Sequence, residues 1–243
     1  MKKVLLPLLL ILVMAVPALA QSSLEGKNVL FVYGGWEGHD PEGCLALLKP
    51  WMESEGATVF PHDNLKVYAD SAYMDSMDLI VQIWTMGQIE REELNGLLRA
   101  VRGGKGFAGW HGGAGDAFRN EPPYQFMVGG QWVSHPGGVI DQYEVHITDH
   151  DDPVTEGIED FTMTETEHYY MHVDPNVKVL ATTSFSGEHA YWIKGATMPV
   201  MWKTQYGEGK IFYTSLGHFV KDLEVAEVFT MLKRGFRWAA EAE

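Results

Sequence analysis

Three short apolar runs, each closing on a glycine-rich or histidine-bearing turn, set the narrowest limit on what this chain can fold into. Residues 27–33 (KNVLFVY) run into Gly34-Gly35, residues 78–84 (DLIVQIW) into Thr85-Met86-Gly87, and residues 106–110 (GFAGW) into His111-Gly112-Gly113. None shows the polar–apolar alternation of a half-solvated strand, so each reads as a strand buried on both faces. Between them, residues 42–55 and 88–101 carry apolar positions at helical spacing, with Pro50 able to kink the first helix and Gly56 closing it. A short strand over 57–61 completes the series. Strand and helix alternating in this way imply right-handed βαβ units around a parallel sheet. Ligands of such sheets bind beyond the carboxyl ends of the strands. Here those ends are the turns reaching His39, Trp84 and His111.

From residue 139 the rhythm changes. Segments 139–148, 177–183, 190–194, 200–204 and 210–215 read as strands joined by short turns, and a helix over about 221–240 ends the chain. The fold class expected is therefore α/β: a three-layer sandwich whose mostly parallel central sheet gains antiparallel strands in the C-terminal half. The start stands apart. Lys2 and Lys3 precede an apolar run that ends in Pro17 and Ala18-Leu19-Ala20, the pattern of a secretory signal peptide cleaved after Ala20. That run is too short for a membrane anchor. Residues 21–243 then form one exported domain with no transmembrane anchor, secreted or periplasmic, and a homo-oligomer is compatible with it.

The net charge of −15 becomes more negative once Lys2 and Lys3 are removed, which disfavours nucleic acid as a partner. The single Cys44 cannot form an intramolecular disulfide, so stability must come from a packed core; a buried small hydrophobe is its plainest role. Gly34-Gly35-x-x-Gly38 follows a strand, but it lacks the spacing and the distal acidic residue of a dinucleotide fingerprint, so no nucleotide is expected. His111 takes the place where a nucleophile elbow would hold Ser or Cys, which leaves acyl-enzyme chemistry without its nucleophile.

His135 lies in a loop, residues 129–138, with four glycines, one tryptophan and one proline; it reads as a site residue or as a structural loop histidine. In the stretch ETEHYYMH, an extended chain would project Glu165, Glu167 and Tyr169 to one side and Thr166, His168 and Tyr170 to the other. Two carboxylates and a phenol on one face suit acid–base work, metal ligation or sugar-hydroxyl recognition, and a solvated acidic edge is the plain alternative. His218 follows the end of the last strand, either at the same sheet edge or as a cap on the final helix. Trp36, Trp110, Trp132, Tyr170 and Trp202 are candidates for stacking on pyranose rings, although core packing accounts for most tryptophans elsewhere.

Taken in order, these pieces resemble the ThuA-like (trehalose-utilisation) family, whose fold is that of class I glutamine amidotransferase domains. The resemblance rests on the turn reaching His39, on residues 104–113 (GKGFAGWHGG), on the loop from Gly129-Gly130 to His135-Pro136, on Glu167-x-Tyr169-Tyr170, and on Met198 to Trp202 continuing through Gly207-x-Gly209-Lys210 to Leu216-Gly217-His218. Where members often carry Asp-Glu before the tyrosines, this chain has Thr166-Glu167. The resemblance implies a flavodoxin-like sandwich without a glutaminase cysteine and a link to carbohydrates, in particular 3-keto glycosides. The expectation is an exported lyase or hydrolase with a small sugar substrate, using Glu167, His111 and Tyr169 as catalytic groups. One divalent metal, zinc or similar, held by His39, His135, Glu167 and His218 is compatible with this inventory, although no short ligand motif demands it. A non-catalytic carbohydrate-binding or accessory protein is the rival expectation.

Overall fold

A computed structural model describes residues 23–241; the signal peptide expected over residues 1–20 lies outside the described residues. The chain runs β1 (Asn28–Gly35), α1 (Pro41–Ser54), β2 (Thr58–His62), α2 (Ser71–Asp75), β3 (Leu79–Thr85), α3 (Arg91–Arg102), β4 (Gly106–Trp110), α4 (His111–Gly115), α5 (Pro122–Val128), β5 (Gly130–Ser134), β6 (Val139–Ile147), β7 (Phe161–Glu167), β8 (Tyr170–Val173), β9 (Lys178–Ser184), β10 (Thr197–Tyr206), β11 (Gly209–Thr214), α6 (Val220–Leu223) and α7 (Ala226–Ala240). Nine strands form one mixed sheet in the order β2-β1-β3-β4-β11-β10-β9-β6-β7. The first five pair in parallel and the remainder pair antiparallel, while β5 and β8 make a separate two-stranded ribbon.

Period-two alternation in β1 explains its unbroken apolar run. Val29 and Phe31 join a core with Leu48 and Met52 of α1 and Phe236 of α7, whereas Leu30 and Val32 join a second core with Leu94 and Leu97 of α3 and Met127 of α5. Both faces are thus covered by helices, which is the condition for a parallel sheet. Cys44 is buried in the first of these cores, and burial pushes its thiol up to about 12, so it packs as a small apolar side chain. No helix among the described residues is long and apolar enough to cross a membrane.

Several expected elements shift. Pro50 sits inside α1 without ending it. Helix α3 begins at Arg91 rather than 88, where the Glu93 carboxylate accepts the Glu90 backbone N–H at 3.0 Å and fixes the first turn. Residues 190–194 are not a strand: Tyr191–Ile193 form a 3-10 turn at the tip of the β9–β10 connection, which is closed by Gly195 N–H donating to the Phe185 carbonyl at 2.9 Å. The last helix is interrupted at residues 224–225, between α6 and α7.

Candidate metal centre

Four segments, each leaving the carboxyl edge of the sheet or its antiparallel extension, deliver one ligand-type side chain apiece to a common point. After β1 the chain passes so close to β3 that a Cβ on Gly35 would lie 2.4 Å from the Thr85 carbonyl oxygen; glycine with φ 77° is what this position requires. The 3-10 turn Glu37–His39 that follows presents His39, whose Nδ1 lies 2.7 Å from the Thr85 hydroxyl. Asp40, in the left-handed region, then accepts the Gly43 N–H and starts α1.

His111 opens α4 with a left-handed backbone, φ 45°. Its carbonyl accepts the Tyr213 hydroxyl at 2.9 Å, and its Nδ1 lies 2.8 Å from the Ser215 carbonyl oxygen. A carbonyl only accepts, so Nδ1 carries the proton and Nε2 carries the lone pair. Burial holds the ring's pKa well below the usual imidazole range, and the ring is neutral at pH 7.

Glu167 ends β7, with its carbonyl accepting the Tyr143 hydroxyl at 3.2 Å. His218 follows β11. Asp222, which the sequence reading passed over, ties these two segments together: one carboxylate oxygen accepts the Thr166 hydroxyl at 2.6 Å and the Phe219 N–H at 2.9 Å. Thr166 therefore ties the end of β7 beside Glu167 to the segment that follows His218.

The resulting cluster is compact and buried. One ligand atom from each of His39, His111, Glu167 and His218 lies within 4.8 Å of every other, and all four residues are buried. Glu167 Oε2 faces His111 Nε2 at 3.2 Å and His218 Nδ1 at 3.4 Å, while its other oxygen faces His135 Nε2 at 3.7 Å. The ring centroids of His39, His111 and His218 are 4.7 to 5.2 Å apart. Burial, reinforced by the neighbouring imidazoles, lowers His39 to about 3, and burial lowers His218 as well. The His111 Nε2 lone pair faces the Glu167 carboxylate, and His218 Nδ1 has no hydrogen-bond partner. Such an arrangement calls for a cation or a proton in the middle. Three nitrogens and one oxygen suit a transition-type divalent ion better than magnesium or calcium.

The expected ligand set changes in one member. His111 joins His39, Glu167 and His218, whereas His135 stands at the half-exposed rim, stacked 6.2 Å from Tyr169 and 5.6 Å from Trp132. Tyr169 lies flat on His111 at 3.9 Å, and burial raises its pKa well above the usual phenol range, so it keeps its proton. Glu165 does not share their face. Its own left-handed φ of 49° rotates the chain so that Thr166 and Glu167 both turn inward, and Glu165 points to solvent beside Lys221 at 3.6 Å.

Among the aromatic candidates, Trp36 is 46% exposed and meets His39 edge-on at 4.8 Å, and Trp132 lies under the Arg119 guanidinium at 4.6 Å; both border the centre. Trp110 and Trp202 do not. Trp110 packs between Phe31 and Phe236, and Trp202 lies against Tyr213 with its indole N–H donated to the Val128 carbonyl. Both are fully buried in the core and offer no ring to a ligand. Tyr170 is half-buried beside Phe185, 5.7 Å away. The sequence reading also missed Arg119, clamped on buried Asp116 by paired hydrogen bonds of 2.5 and 2.8 Å; an acidic residue and an arginine three apart just past His111-Gly112-Gly113 were the available signal.

Fold and site together define an α/β protein with a buried histidine–carboxylate centre at the carboxyl edge of its sheet. The sequence model of the ThuA family, described as trehalose utilisation, matches residues 28–239, and the chain belongs to that family. No curated protein matches it. Among solved structures, a ThuA-like protein from Bacteroides uniformis superposes with a TM-score of 0.75 at 16% identity over 88% of this chain and 91% of that one. A ThuA-like protein from Parabacteroides merdae gives 0.71 at 19% identity over 88% and 90%. A cytoplasmic protein of Salmonella typhimurium gives 0.61 at 12% identity over 88% and 100%. At these identities the likeness is one of fold, and it bears out the α/β sandwich expected from the strand pattern. Family membership connects the chain with carbohydrates.

Proposed function

We propose that the protein is a carbohydrate-processing enzyme that cleaves a 3-keto glycoside with the help of one divalent ion held by His39, His111, Glu167 and His218. The observation carrying this reading is the meeting of the His111 Nε2 lone pair with the Glu167 carboxylate at 3.2 Å inside a ring of neutral imidazoles. A bound ion of this kind supplies Lewis acidity toward a carbonyl oxygen.

The chain's own groups supply the rest. A ketone at C3 acidifies the C2 proton. His135, half exposed at the rim with its Nε2 3.7 Å from a Glu167 oxygen, is the base that takes it. The electron pair of the C2–H bond becomes the second C1–C2 bond as the C1–O bond breaks. The departing oxygen takes its proton from Tyr169, which still holds one at neutral pH. Trp36 and Trp132 border the opening and offer ring faces to the sugar's C–H surface. On the reading of residues 1–20 as a leader, this work takes place outside the cytoplasm, secreted or periplasmic.

The test is elemental analysis of the purified protein together with turnover of a 3-keto glucoside before and after chelation. Stoichiometric zinc, manganese, cobalt or nickel with chelator-sensitive product supports the reading. The His135→Ala variant should keep its metal and lose about 10²- to 10⁴-fold in kcat, whereas Glu167→Gln should lose metal and turnover together. A metal-free protein that remains active would shift the chemistry to a proton shared between Glu167 and His111. Neither metal nor turnover would leave a carbohydrate-binding protein with this fold.

A further inference from the structure

Successive residues of the Glu167–Tyr170 stretch serve different places. Glu167 and Tyr169 face the histidine cluster, whereas the His168 ring lies flat between Tyr143 and Phe185, with centroids 4.1 and 4.0 Å away and planes within 9° of parallel. Both faces of that ring are covered, so only its edge is free, and the edge borders a separate cleft of about 490 Å³ between the start of β6 and the loop 185–193. The residue is only 4% exposed, yet its Nε2 has no hydrogen-bond partner. An imidazole edge of this kind can donate or accept a hydrogen bond at Nε2, according to its tautomer. A buried atom left unpaired is unfavourable, and a ligand in the cleft would satisfy it.

The remaining lining has the same character. Gln142, Ser186 and His189 both donate and accept, and Asp141 and Glu188 add two carboxylates. The turn at the far wall sends Ala190 and Ile193 toward the cleft and leaves Tyr191 and Trp192 standing 80% and 73% exposed, their rings 5.2 Å apart. These are the two most exposed large apolar side chains among the described residues.

We propose that this cleft is a second saccharide site, binding one uncharged hexose unit away from the metal centre. Mixed donors and acceptors match sugar hydroxyls, and exposed aromatic rings match the C–H face of a pyranose. The cleft volume falls in the range of small-ligand sites. Two carboxylates and no lysine or arginine in the lining repel uronic acids and phosphosugars. The inference does not depend on the reaction proposed above.

Binding of methyl α- and β-D-glucopyranoside and of trehalose to the full chain, followed by saturation-transfer NMR and tryptophan fluorescence, tests it. Glucuronate and glucose 6-phosphate are the anionic controls. We expect millimolar binding of at least one neutral probe, retained in metal-stripped Glu167→Gln and weakened about tenfold or more, some 1.4 kcal/mol, by Gln142→Trp, which fills the cleft, and by Trp192→Ala. Gln142 and Trp192 are exposed, and unchanged melting of both variants checks that they fold. Failure of every neutral probe to bind, equal binding of the anionic controls, or binding indifferent to both cleft variants overturns the proposal. A chain that binds these sugars here but never turns over a 3-keto glucoside upholds the cleft and sinks the reaction; turnover with no cleft binding does the reverse.

Discussion

The buried histidines dominate at the scale of single residues. His39 is held at about 3 and His168 at about 4, and His111 and His218 are also lowered, in each case chiefly by burial. A folded pKa below the unfolded value of about 6.5 means that the unfolded chain binds more protons. Stability from these groups is therefore complete above about pH 6.5 and falls as the pH drops toward 3, by up to about 1.4 kcal/mol per pH unit for each histidine. Asp116 and Asp222, raised by burial, offset part of this in the lower half of that window. Urea midpoints of metal-free protein should thus be clearly lower at pH 5 than at pH 7; equal midpoints would exclude neutral buried imidazoles. Residue chemistry was the most legible level of the sequence, since His39, Glu167 and His218 do converge. The exchange of His135 for His111 turns on how the loop 129–138 packs, which leaves His135 at the half-exposed rim beside the other Glu167 oxygen, a long-range placement that no local pattern announces.

Elements explain why those residues meet. Strands β1, β3 and β4 were readable because burial on both faces demands unbroken apolar runs, and their carboxyl ends carry His39, Thr85 and His111. The short ribbon β5–β8 was not, since a five-residue strand opening on glycine has no period to detect. Helix α5 escaped for a similar reason, at seven residues opening on two prolines. Nor could alternation foresee the left-handed Glu165, which moves one of two expected carboxylates into solvent. The glycines after His111 separate two demands that look alike in sequence. A Cβ on Gly112 would lie 2.4 Å from the His39 ring, whereas one on Gly113 would lie 2.6 to 2.7 Å from Ile83 in the core. We expect Gly112→Ala to fold normally but bind metal at least about tenfold more weakly as the His39 ring is displaced. Gly113→Ala should lose about 1–3 kcal/mol of stability by overpacking while retaining the ligands. Calorimetric metal titration and thermal melting of the two variants distinguish these outcomes, and identical behaviour would refute the assignment.

For the whole molecule, the nine-stranded sheet joins a parallel half built from local βαβ units to an antiparallel half, and the centre draws on both: His39 and His111 from the first, Glu167 from the second, and His218 from the end of β11, the strand where the two halves meet. That layout was foreseeable in outline, from the change of rhythm near residue 139, while the order in which β11 returns to pair with β4 was not, because sheet order depends on contacts across a hundred residues. Positions 39, 111, 167 and 218 are as scattered along the chain as they are close in space. An unfolded chain has no way to gather them, so an ion seated there binds only the native state and acts as a reversible cross-link through most of the fold. At a free concentration 100 times its dissociation constant it should add about 2.7 kcal/mol of stability, visible as a rise in melting temperature that chelator abolishes in the native chain and that Glu167→Gln never shows. Metal supply would then govern how long the protein lasts as well as what it does: a molecule stripped of its ion would become both idle and easier to unfold, and so be the first cleared by proteases.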